Sequence, residues 1–168
     1  MVTQTSSDEV QSGSEAALFV ERFETQWSKS NAGALAELLT DDVVLIQPGM
    51  PSTTGKQAAV TVFSRLFRLI PDLHVLVQRW AAGGQVVFIE FSLIGTFGGR
   101  ELSWPVVDRF LLRDGLVAER ISYFDPMPLM LTVLKRPRGW RRLLTSGFRP
   151  SLPRSSNPRS ATSDRNGS

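Results

Sequence analysis

Few side chains in this 168-residue chain can do chemistry, and three of them fall in successive β-rich runs: Glu90, Asp108 and Arg120. Two carboxyls beside a guanidinium are the parts of a general acid/base site, provided that the strands bring them to one face. Register decides this. A hairpin centred on Asp114 sets Asp108 opposite Arg120, Phe110 opposite Ala118 and Val106 opposite Ser122, with Arg109 opposite Glu119 as an ion pair on the other face. A hairpin centred on Gly99 sets Glu90 opposite Asp108 and completes a row across three strands. A slip of one residue in either hairpin sends the partner to the other side of the sheet.

The same row carries Phe88, Trp104, Phe110 and Phe124, an apolar lining for a pocket. Two carboxylates about 4 Å apart at an effective dielectric near 20 repel by roughly 4 kcal/mol, so one stays protonated unless Arg120 lies between them. Two readings stand side by side: an acid/base site and a buried structural ion cluster. His74, the only histidine, follows Pro71-Asp72-Leu73 at a strand start. It is a candidate polar group of the pocket, although a lone strand-edge histidine is more often solvated. Phe23, Phe63 and Phe67 complete the aromatic set that shapes the pocket, and Trp27 and Trp104 offer flat faces to a ligand, a role that competes with plain core packing.

The elements that position these residues follow from periodicity. Residues 1–11 are polar and acid-rich and are expected to be a disordered leader. Ser12 and Glu15 form a capping box, and Phe19, Phe23 and Trp27 recur every fourth residue, which predicts a helix over about 13–28. Asn31 caps a short second helix, and Val43, Val44, Leu45 and Ile46 form a strand. Val60, Phe63, Phe67 and Ile70 make the stripe of a third helix. Four strand-like runs follow, 74–80, 86–95, 102–112 and 116–125, separated by Gly83-Gly84, Gly98-Gly99 and Asp114-Gly115. Helices followed by a run of strands predict an α+β domain, an antiparallel meander covered on one face by three helices. The domain is expected to span 12–144, its last amphipathic segment, 129–144, broken at Pro137.

Composition excludes several classes. With no cysteine there is no disulfide, thiolate metal site or cysteine nucleophile. No apolar run reaches the ~18 residues a bilayer crossing needs, and a cytoplasmic protein is expected. From Lys135 onward nine basic residues face one acid, Asp164, whereas residues 1–134 hold ten basic and fifteen acidic residues. The net charge of +3 therefore describes neither part. A disordered basic tail over 145–168 is expected, without the interleaved aromatics of a nucleic-acid surface.

The element order, with IPDLHV at 70–75, GTFGG at 95–99, WPVVDRFLLRDG at 104–115 and ERISYFDP at 119–126, resembles the nuclear-transport-factor-2-like superfamily. The branch it is most similar to is the SnoaL-like polyketide cyclase and limonene-epoxide-hydrolase-like group. The resemblance covers about residues 14–130 and implies a cone-shaped, curved sheet with an apolar pocket, often dimeric through its outer face, and no cofactor or metal. It sets Asp108 where ketosteroid isomerases keep an oxyanion-stabilising aspartic acid and polyketide cyclases an acid/base aspartate. The isomerase base falls near Gln47, a polar positioner here, and its tyrosine near Phe23. Of the epoxide hydrolase set, one aspartate meets Ser122 and the arginine meets Glu90 or Ile89.

Together these imply a small-molecule enzyme: a cyclase, isomerase or hydrolase of a polyketide-, terpenoid- or steroid-like substrate. Asp108, Glu90 and Arg120 are its expected catalytic residues. Its alternative is a catalytically silent domain of the same fold that binds a hydrophobic small molecule or serves assembly. A homodimer is expected through an outward row of Ile89, Phe91, Leu93 and Leu111.

Overall fold

The computed structural model describes residues 3–146, with side chains from residue 13 onward. Helix α1 (Thr3–Ser28) and the short α2 (Ala32–Ala36) lead into strand β1 (Leu39–Ile46), followed by the two-residue β2 (Thr53–Thr54) and helix α3 (Lys56–Leu69). Four strands come next: β3 (His74–Gly83), β4 (Val86–Phe97), β5 (Arg100–Arg113) and β6 (Leu116–Tyr123). Helix α4 (Pro126–Leu134), a 3-10 turn (Pro137–Gly139) and α5 (Trp140–Ser146) close the described chain. Pro137 breaks the final segment as expected.

The six strands form one curved sheet in the order β2-β1-β6-β5-β4-β3. The α+β architecture matches the expectation, but the sheet is mixed, because β1 lies parallel to β6 (Leu45 beside Arg120). Pattern alone shows that 43–46 is a strand without showing its neighbour. One further difference is local. Helix α1 begins at Thr3, upstream of the capping box at Ser12, so residues 3–11, expected as a leader, continue the helix. The tail expectation for 147–168 lies outside the described residues.

Helix α1 is amphipathic because Ala16, Phe19, Val20, Phe23 and Trp27 share one face, and all are buried against the sheet. The Asn31 side chain accepts from the Gly33 amide at 2.7 Å and starts α2. Gly95 lets the end of α3 approach the sheet: a Cβ there would lie 2.4 Å from Ile70 Cγ2.

Register corrects the expected site. The loops at Gly98-Gly99 and Asp114-Gly115 each hold two residues, all with φ between 54° and 79°, the geometry that matches strand twist. A two-residue loop moves every pair by one relative to a hairpin centred on a single residue. Between β4 and β5 that shift is uncorrected: Ile89, not Glu90, stands opposite Asp108. Glu90 and Phe88 therefore turn to the outer face, and Ile89, Phe91 and Leu93, expected outside, are buried in the core. Between β5 and β6 a bulge at Leu111/Leu112 adds a second shift. Asp108 now faces Ser122, and Phe110 faces Arg120, so Asp108 and Arg120 return to the same side.

Candidate functional site

The site is built where β5, β6 and the end of β1 run side by side. Asp108 projects inward from β5, Arg120 and Ser122 from β6, and Gln47 follows the last residue of β1. Asp108 is 1% exposed and Arg120 8%. Their charges are apposed but not hydrogen-bonded, with Arg120 Nε 3.7 Å from Asp108 Oδ2. Arg120 is held elsewhere: its Nη2 donates to Gln47 Oε1 at 2.9 Å, and its guanidinium carbon lies 5.6 Å from the centre of the Phe63 ring. Gln47 is itself oriented, since its amide nitrogen donates to Met50 Sδ at 3.0 Å.

This geometry leaves two buried polar atoms, Asp108 Oδ1 and Arg120 Nε, without a hydrogen-bond partner. Burial pushes the Asp108 carboxyl above the usual carboxylate range, and the Arg120 charge and the Ser122 hydroxyl pull in the opposite direction without prevailing. A carboxyl in this state keeps a proton that an ordinary aspartate has lost. It can donate that proton to a substrate oxygen, and Arg120 can stabilise negative charge developing on that oxygen.

A cavity of about 100 Å³ opens onto these groups. Eight of the expected residues line it: Trp27 from α1, Gln47, Phe63, Trp104, Asp108, Arg120, Ser122 and Phe124. The remaining wall comes largely from apolar side chains that singly look like core: Phe91, Leu93 and Val106 from the sheet, and Leu129 from α4. Alternation would have shown Phe91 and Leu93 had the β4 register been correct, and Val106 shares the inward parity of Asp108 on β5. A larger cleft of about 740 Å³ lies between α1 and the turns around Gly84 and Asp114. Its charged members Glu15, Arg22 and Asp114 are all solvent-exposed, so it provides no comparable chemistry.

Other expected residues are elsewhere. Glu90 forms an outer-face ion pair with Arg79 at 2.9 Å. Phe88 is 43% exposed on that face. His74 pairs in register with Ile94 and is exposed, its Nδ1 2.9 Å from the Asp72 carbonyl oxygen, so the edge of the sheet keeps it from the pocket. Phe23, Phe67 and Phe110 are buried one layer behind the wall. Phe23 stacks edge-on against Phe91 and Phe110, and Phe67 against Trp27. Among the described residues, no cluster of three or more His, Asp or Glu side chains is arranged to hold a metal.

A curved mixed sheet wrapped around an inward-facing polar set, with helices across its open side, is the nuclear-transport-factor-2-like fold that ketosteroid isomerases share. Within that class the chain belongs to the SnoaL-like domain family, whose model matches residues 20–120. Among solved structures it is similar to a Jannaschia sp. CCS1 protein assigned as a SnoaL-like polyketide cyclase: 23% identity, 74% of this chain and 94% of that one covered, TM-score 0.65. It is also similar to an LEH-like epoxide hydrolase from M. tuberculosis (23% identity, 79% and 96% covered, TM-score 0.62). A third is a Catenulispora acidiphila protein of ketosteroid isomerase-like fold in complex with trimethylamine (20% identity, 73% and 95% covered, TM-score 0.62). No curated protein matches the chain.

Proposed function

We propose that this protein is a cofactor-independent enzyme that performs acid/base chemistry on an apolar, oxygen-bearing small molecule, working in the cytoplasm as a homodimer. The reaction class is cyclisation, isomerisation or epoxide opening, and a polyketide-, terpenoid- or steroid-like skeleton suits the lining. Asp108 is the proton donor and acceptor. Arg120 stabilises developing negative charge, Gln47 orients Arg120, and Ser122 tunes Asp108. One observation carries the reading: a carboxyl buried in an apolar cavity, with a free oxygen, beside a guanidinium fixed by other partners. Relatives described as a polyketide cyclase and an epoxide hydrolase support it. The test is turnover of candidate epoxides and cyclisable polyketides by the native protein and by Asp108→Asn. Equal rates from a folded variant would remove Asp108 from the chemistry.

The dimer is proposed through the outer face of the sheet, where Leu76, Phe88, Val107 and Tyr123 are exposed. A monomer in sedimentation velocity at micromolar concentration would overturn it. A second functional reading, a binding domain without turnover, has its own support: Asp108 is the only carboxyl among the residues lining the cavity. Ligand retained across pH with no product formed would favour that reading.

A further inference from the structure

Helix α4 differs from every other helix of the fold in what it leaves uncovered. None of its nine residues is fully buried, although the sequence Pro126–Leu134 is almost wholly apolar. Leu129 and Val133 turn toward the domain and pack against its core. The opposite stripe, Met127, Met130, Leu131 and Leu134, follows the i, i+3, i+4, i+7 spacing of one helical face, and all four are exposed, between 39% and 59%. Helix α5 repeats the arrangement on a smaller scale: Leu143 packs on the core, whereas Trp140 is 44% exposed and Leu144, one turn on, 83%.

These helices are held on the domain by identifiable contacts. Arg136 donates to the carbonyl oxygens of Phe97, Arg100 and Glu101 at 3.0–3.2 Å. Gly139 lies against the Phe97 ring, where a Cβ would meet it at 2.3 Å. The Trp140 indole donates to the Val133 carbonyl oxygen at 3.0 Å, which brings it beside the last turn of α4. The apolar stripe is thus a fixed surface.

Charge identifies what covers it. Residues 126–146 contain Lys135, Arg136, Arg138, Arg141 and Arg142 and no acidic residue. A two-fold pairing of this surface with a second copy would set these cations against their equivalents. A surface with hydrocarbon beneath a negative layer satisfies both features, and a half-exposed tryptophan suits the boundary between the two. We propose that α4 and α5 form a peripheral membrane-binding surface for anionic lipid, the apolar stripe entering the headgroup boundary and the arginines meeting the headgroups. Because Leu129 of the same helix lines the cavity, a lipophilic ligand would reach the site from the bilayer side.

The test uses the full-length protein, sedimented with phosphatidylcholine vesicles that contain or lack phosphatidylserine. Partitioning is expected to be at least about tenfold stronger with phosphatidylserine, and to weaken with added salt. Leu131→Gln with Leu134→Gln, and separately Arg138→Glu with Arg141→Glu, should each lower partitioning about tenfold. All four side chains are exposed, so native circular dichroism is expected of both variants. Equal partitioning with and without phosphatidylserine overturns the proposal. Unchanged binding by either double variant also overturns it, and assigns lipid binding to residues 147–168. Concentration-dependent self-association lost in Leu131→Gln with Leu134→Gln, without vesicle binding, would make the surface a protein interface instead.

Discussion

Both faces of the sheet carry carboxylate–guanidinium pairs, and the shorter pairs are on the outer, more solvated side. On the outer face Arg109 and Glu119, both half-buried, meet at 2.7 Å, and Arg79 and Glu90, more open to solvent, at 2.9 Å. On the inner face Arg120 and Asp108 stand 3.7 Å apart and are nearly sealed from water. Water screens the outer pairs, so good geometry adds little to stability or to chemistry. Burial makes the inner pair consequential, since neither charge is solvated and the contact is too long to compensate fully. The fold therefore spends stability on a buried carboxyl inside and leaves ordinary ion pairs outside.

The largest expected effect is that of Asp108→Asn, which should lower turnover by about 10²-fold or more. The same variant should be more stable at neutral pH. A carboxyl whose folded pKa is raised contributes stability that is complete at low pH, below its unfolded pKa, and is lost as pH rises through the folded value. Asparagine, neutral throughout, removes that loss, and thermal melts from acid to neutral pH should show a flatter profile for the variant. Each kcal/mol recovered corresponds to roughly 2–4 °C in Tm. A variant less stable than the native protein at neutral pH would mean that Arg120 compensates the Asp108 charge after all.

Arg120→Met ranks next and tests the other half of the inner pair. It should raise the Asp108 pKa further and cost on the order of 1–3 kcal/mol at neutral pH, measured by urea unfolding, with a smaller cost in acid, where Asp108 is neutral. A cost independent of pH would show that Arg120 acts through packing on Phe63 and its bond to Gln47. Gly95→Ala probes the close packing of the inner face and should destabilise by about 1–3 kcal/mol, because Ile70 and the Leu73 backbone leave no room for a methyl group. Smallest is Glu90→Gln, on the outer face, which should change stability by less than about 1 kcal/mol and leave turnover as it was. A large loss of turnover from Glu90→Gln would mean that the two faces are not chemically distinct.

The hairpins show why the site was legible only in part. Parity assigns Asp108, Arg120 and Ser122 to one face, and the assignment holds because two single-residue shifts, one from the Asp114-Gly115 loop and one from the bulge at Leu111/Leu112, add to two residues and so restore the face. The Gly98-Gly99 hairpin has the first shift without the second, and it exchanged the whole of β4: Glu90 and Phe88 went outside, and Ile89, Phe91 and Leu93 went in. Glycines announce a turn but do not count its residues, and a count wrong by one inverts a strand.

By itself the sequence determined the order of elements, the apolar stripes of α1 and α3, the cap at Asn31, the break at Pro137 and the inward parity of Asp108. These depend on local sterics and on spacing along the chain. Tertiary structure alone decided that β1 lies parallel to β6, which delivers Gln47 to Arg120 at 2.9 Å across seventy-three residues. It also decided that the guanidinium stops 3.7 Å short of the carboxylate and that α4 turns four of its five leucines and methionines outward. Each of these depends on where a distant segment comes to rest, and no local pattern records that position.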